Sequence, residues 1–170
     1  MRLKLILFMI FIVCLLSACK TDVGPTTEDS SSPLSEEMNE VISNYIIEKY
    51  SSVYAHTEQQ FEVHRVYGTS ESNGIISVYM HSYFGGFNKS TGLKTQAGHS
   101  LPAVIRLQKK AAGYSVTSYT EPKDGDLYQS SLKKMFPEKY LSMAQRDVGN
   151  VEDLHEEMDH KVNVWLGEAK

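Results

Sequence analysis

The sequence predicts an α+β domain: an N-terminal helix, a four-stranded antiparallel meander, and C-terminal helices packed on the sheet, with all the helices on one face. Three observations lead there. Apolar residues recur at three- and four-residue steps from Met38 to Ile46, and again from Val151 to Leu166. Between them the period falls to two, with turn-forming clusters at Ser72-Asn73-Gly74, Ala111-Ala112-Gly113 and Pro122-Lys123-Asp124-Gly125. The order of the runs is helix, four strands in succession, then helices, which suits a meander.

The first helix begins at Leu34. Ser35 can cap it, Glu36 and Glu37 suit the positive end of the helix dipole, and Met38, Val41, Ile42, Tyr45 and Ile46 form its apolar stripe. It runs to about Tyr50 or Tyr54. Phe61 to Ser70 and Ile75 to Phe87 read as strands joined at Asn73-Gly74, because Asn and Gly tolerate positive φ. In the second strand Ile76, Val78, Met80, Ser82 and Phe84 face one way. Ser77, Tyr79, His81 and Tyr83 face the other. Asn88 to Gly98 is a polar loop, Ser100 to Lys110 a third strand and Tyr114 to Glu121 a fourth. Leu127 to Met135 reads as a short helix, and Pro137 suits the first turn of a second, ending near Arg146. Asn150 with Asp153 resembles an N-cap pair for the last helix, whose stripe is Val151, Leu154, Met158, Val162, Trp165 and Leu166.

With 170 residues, 41% apolar and 22% charged, the chain holds one globular domain with a tail to spare. Seventeen basic and twenty-one acidic side chains leave a net charge of −4. An acidic balance argues against nucleic acid, which needs a basic patch to displace counterions.

The N-terminus reads as an address. Arg2 and Lys4 precede an apolar run from Leu5 to Leu16. Twelve residues suit a signal-peptide core and fall short of the roughly 20 that a spanning helix needs. Leu16-Ser17-Ala18-Cys19 then matches the lipobox of bacterial lipoproteins. The small residues let a signal peptidase approach, and the Cys19 thiol takes the diacylglyceryl group. Two or three acyl chains anchor firmly where one is marginal. The expected organisation is a cleaved lipoprotein signal peptide at 1–18, lipidated Cys19 with a disordered tether over 19–33, and one extracytoplasmic domain over 34–170. The tether, with Gly24, Pro25, Pro33 and a serine run, would span about 20 Å. Cleavage removes Cys14, Arg2 and Lys4, leaving a net charge of −6 and no free thiol.

Few motifs carry chemistry. His155 and His160 stand five residues apart, which on a helix turns the second ring about 140° from the first. A zincin pair needs four, so the segment reads as a solvated acidic face and no metal is implied. Ser131-Leu132-Lys133-Lys134 matches the serine-x-x-lysine of penicillin-recognising enzymes, but their Ser-Asp-Asn and Lys-Thr-Gly partners are missing. No cofactor is implied, since a phosphate loop and a Cys-x-x-Cys are both lacking. The most suggestive group is His81 between Tyr79 and Tyr83. It forms either an open surface for a ligand or partner, or a face covered by one of the helices.

The stretch Gly98 to Lys139 carries Pro102-Ala103-Val104-Ile105, Gly113-Tyr114, Tyr119, Glu121-Pro122, Asp124-Gly125, Tyr128 and Phe136-Pro137-Glu138. Upstream stand Glu62-x-His64, Gly68, Val78-Tyr79 and Gly86-Phe87. From about Leu34 to Met143 this pattern resembles the extracytoplasmic C-terminal domain of BlaR1-type membrane metallopeptidases of Firmicutes. Their peptidase part is absent. The resemblance implies a sensor or accessory module and brings no assigned functional residues with it; His64 is the polar residue of the matched pattern taken as a candidate. The expected function is that of a membrane-anchored, non-enzymatic binding lipoprotein on the outer face of a Gram-positive membrane. Its candidate surface is His64, Tyr79, His81 and Tyr83, for a small ligand or a protein partner. A small hydrolase with sheet-borne histidines, or an inhibitory module for a cell-wall enzyme or protease, are the alternatives.

Overall fold

In the computed structural model, residues 28–30, 34–147 and 149–168 are described. The segment read as a signal peptide, Cys19 and most of the segment read as a tether lie outside them. The elements are β1 (Glu28–Ser30), α1 (Glu36–Tyr50), β2 (Gln59–Ser72), β3 (Ile75–Phe87), β4 (Ala97–Lys110), β5 (Gly113–Thr120), α2 (Tyr128–Met135), α3 (Glu138–Arg146) and α4 (Glu152–Leu166). The strands form one antiparallel sheet in chain order. The fold is α+β, with the four-stranded meander extended by a short edge strand. That strand, Glu28–Ser30, falls inside the stretch read as tether and pairs with Thr69–Glu71. A polar stretch can join a sheet edge because the pairing is made by main-chain groups.

α1 starts where its cap dictates. Ser35 Oγ accepts the N–H of Met38 at 3.3 Å, and Glu36 and Glu37 occupy the first turn. Met38, Ile42, Ile46 and Tyr50 recur at four-residue steps and are buried. They pack on Val78, Met80 and Phe84 of β3 and on Ala103, Ile105 and Leu107 of β4. Each such burial contributes roughly 1.5–3 kcal/mol.

The β2–β3 hairpin turns at Asn73 and Gly74, with φ of 52° and 72°. Both central residues need positive φ in this turn, which fixes the register at Ser72 opposite Ile75. A bulge between Val66 and Gly68 then shifts the pairing by one residue. Gly68 lies against α3 so closely that a Cβ there would collide with the Tyr140 ring.

The other face of the sheet is covered too. Tyr67, Tyr79 and Val104 pack with Leu132 of α2, Phe136, and Tyr140 and Ala144 of α3. Val63 and Phe87 pack with Val151 and with Leu154, Met158 and Val162 of α4. The expectation of helices on one face is therefore corrected: α1 takes one face and α2–α4 the other. The central strands are apolar on both sides, and each amphipathic helix buries its stripe on one of them.

Arg65 of β2 fastens the C-terminal helices. Its Nε donates to Asp153 Oδ2 at 2.9 Å and its Nη2 to Asp153 Oδ1, while Nη1 reaches Asp147 Oδ2 at 2.6 Å and Asn150 O at 3.2 Å. This explains a second correction. Asn150 and Asp153 do not form the expected cap pair: Val151 holds the N-cap position of α4 without a side-chain cap bond. The guanidinium has drawn the Asp153 carboxylate and the Asn150 carbonyl to itself. Likewise Pro137 precedes α3 as its N-cap residue instead of sitting in its first turn.

Replacing Arg65 by Met leaves Asp147, whose side chain is 13% exposed, without its cation. Urea denaturation of Arg65→Met should show a loss of about 3 kcal/mol. A loss below about 1 kcal/mol would make the network an ordinary surface ion pair.

Candidate functional site

β2 alternates between the two helical layers. Glu62 and His64 turn toward α1, while Val63 and Arg65 turn toward the C-terminal helices. Glu62 is 1% exposed, an unusual place for a carboxylate. Its Oε2 accepts from Ser43 Oγ of α1 at 2.7 Å and from His64 Nδ1 at 3.0 Å. Its Oε1 accepts from Ser82 Oγ of β3 at 2.7 Å. Burial pushes the Glu62 carboxyl upward, but the bonds from His64, Ser43 and Ser82 outweigh it and hold the group below the usual carboxylate range. The group is therefore ionised at neutral pH. Its contribution to stability is fully present above the ordinary carboxylate value and is lost as pH falls through the lower folded one.

The second nitrogen of His64 lies 3.1 Å from Asn39 Oδ1 of α1. Lys161 of α4 donates from Nζ to the Glu62 carbonyl at 3.2 Å. These groups surround a cleft of about 200 Å³ lined by Asn39, Ser43, Val63, His64, Glu157 and Lys161. An adjoining cleft of about 270 Å³ shares Asn39, Ser43 and Lys161, and adds Glu36, Glu40 and Phe61 among others. Walls from α1 and α4 and a floor from β2 make a polar site, rich in hydrogen-bonding groups.

Chemically the cluster is suited to recognition. A nucleophilic dyad needs the serine hydroxyl on the histidine nitrogen. Here Ser43 and His64 both bond the same oxygen of Glu62, and the outer nitrogen of His64 meets an amide. Among the described residues, no group of three or more His, Cys, Asp or Glu side chains is placed to hold a metal ion.

The four candidate surface residues separate. His64 lies on the α1 side, in the cleft. Tyr79, His81 and Tyr83 lie on the opposite face, under the C-terminal helices. Tyr79 is 8% exposed and packs on Tyr140, with ring centroids 5.0 Å apart. His81 is 1% exposed, with Nε2 2.9 Å from Ser100 Oγ and Nδ1 3.4 Å from Tyr67 Oη. Tyr83 is half-buried, bonds Thr95 Oγ1 at 3.1 Å and meets the edge of the His155 ring. The open alternative for this face is thus corrected to the covered one. Ser131 of the serine-x-x-lysine stretch is also committed locally, accepting from Lys123 N–H and donating to Tyr128 O.

Sequence reasoning missed Asn39, Ser43, Glu157 and Lys161. A signal existed for two of them: Asn39 and Ser43 are polar, four residues apart, beside the apolar stripe of α1. Glu157 and Lys161 reach the cleft only through the docking of α4. Comparison with protein-family models, with curated proteins and with solved structures finds no match for this chain. The site is read from its own geometry.

Burial pushes the His81 imidazole down to about 4 from 6.5. A folded value below the unfolded one gives stability at neutral pH that is lost as pH falls from 6.5 toward 4. From pH 7 to pH 5 this group alone should cost about 2 kcal/mol in urea denaturation. His81→Gln should flatten the pH dependence by that amount. Equal slopes in both proteins would contradict the neutral, buried imidazole.

Proposed function

We propose that the chain is a membrane-anchored extracytoplasmic lipoprotein whose folded domain works as a non-enzymatic sensor or accessory binding module. The observation that carries the binding reading is the polar cleft between α1, β2 and α4, in which Ser43 and His64 are both engaged by Glu62. Such a site offers fixed donors and acceptors to a ligand and holds its own groups in place. The anchor rests on Leu16-Ser17-Ala18-Cys19 behind a charged and then apolar leader. The likeness to the extracytoplasmic domain of BlaR1-type metallopeptidases supports the same role beside a membrane partner. No helix among the described residues is long and apolar enough to cross a membrane.

One observation favours a second reading. A small hydrolase requires a histidine with a carboxylate in reach inside a cleft, and His64 with Glu62 at 3.0 Å supplies that pair. What weighs against it is that the other imidazole nitrogen meets the Asn39 amide oxygen instead of a hydroxyl nucleophile.

In a Gram-positive host the full chain should incorporate labelled palmitate, and globomycin should leave a larger precursor. Cys19→Ala should carry no label. A wild-type protein that is unlabelled, with mobility unaltered by globomycin, would overturn the anchor.

A further inference from the structure

The clefts run end to end along one strand edge. The first takes in Val63 and His64, the second Phe61 and Glu62, and a third, of about 300 Å³, Gln59 and Gln60. α1 and its C-cap residue line the whole length at four-residue steps, through Asn39, Ser43, Ile47 and Ser51. The topology explains the course of this groove. β1 pairs with β2 only at Thr69–Glu71. Among the described residues, no strand pairs with the same edge between Gln59 and Val66.

Alternate residues of an antiparallel strand turn their N–H and C=O to opposite sides. The Glu62 carbonyl meets Lys161 Nζ at 3.2 Å, and the Gln60 carbonyl meets Gln59 Nε2 at 3.3 Å. Gln60, Glu62 and His64 are therefore the outward set. Side chains stand where a neighbouring strand would otherwise bond. A lysine in that position is a common guard of a free sheet edge.

Resting on the reading of the domain as a binding module, we infer that this groove takes an extended lysine- or arginine-bearing segment of a partner protein, added to β2 as a further strand. Two observations select this occupant. β1 is an extended segment already paired to the same edge a few residues along, so β2 accepts strands from that side. The groove and its rim carry the exposed carboxylates of Glu36, Glu40, Glu58 and Glu157 against one lysine, Lys161. A cationic strand is attracted to that field, whereas a second copy of this chain would bring the same carboxylates together. Six residues of strand edge span about 20 Å. On binding, Lys161 leaves the Glu62 carbonyl and the main chain of the segment replaces it.

The probe is a set of labelled dodecapeptides with lysine at alternate positions and every residue in turn at the others, titrated against the full chain in mild detergent. A matched set carries glutamate in place of lysine. Members of the lysine set should bind below about 1 mM, with slowed amide exchange confined to Gln59–His64. Gln60→Pro removes one outward N–H at an edge that tolerates proline, so it should weaken binding about 10-fold with an unchanged circular dichroism spectrum. Lys161→Ala should tighten it. The inference is overturned by lysine peptides that all fail to bind, by a glutamate set that binds as well, or by affinity indifferent to Gln60→Pro. It is overturned equally if light scattering shows self-association that alone protects Gln59–His64. Palmitate labelling is independent of all these outcomes, so loss of the anchor and loss of the strand site are separately visible.

Discussion

A carboxylate buried between the layers governs how they meet. Glu62 has been taken out of water, which for a lone charge costs several kcal/mol. The fold answers with donors from three elements: Ser43 from α1, His64 from β2 itself and Ser82 from β3. Each donor restricts its element. α1 docks with Ser43 facing inward, and β2 and β3 hold the register that places Glu62 opposite Phe84. Lys161 adds α4 through the backbone of the same residue. The apolar contacts of α1 are non-directional and supply most of its attachment. The Glu62 bonds select its rotation and height on the sheet.

One strand away from the centre, β2 carries both anchors of the molecule because its side chains alternate. Glu62 and His64 reach α1 on one face, and Arg65 reaches Asp147, Asn150 and Asp153 on the other. The strand is therefore gripped on both faces while, among the described residues, no strand pairs with half of its outer edge. A groove follows from that arrangement: helices rise on either side of an edge that no strand among the described residues covers. Its polar character follows from the same groups that solve the burial of Glu62.

Much of the fold was legible in the residues. β3 runs from Ile75 to Phe87 as its alternation and the Asn73-Gly74 turn require, and α1 begins behind the Ser35 cap. What escaped were features made by distant contacts. The alternation of β3 marks two faces but does not say which are covered. Tyr79 and His81 needed the placement of α2 and α3 to become core residues. The start of α4 misled because local cap chemistry predicts Asn150 and Asp153 as partners, while Arg65, more than eighty positions earlier, outbids it with a charge-assisted fork. Of the site, Glu62 and His64 stand two apart on a strand and so share a face. Lys161 enters only through packing.

The claim that Glu62 organises the layers is tested most directly by Glu62→Gln, with equilibrium unfolding at pH 7 beside amide exchange across Glu36–Tyr50. The variant keeps the shape and removes the charge that three donors serve. This account predicts a loss of about 3 kcal/mol together with faster exchange in α1. A change within about 0.5 kcal/mol and unaltered exchange would show that apolar packing alone positions the helix.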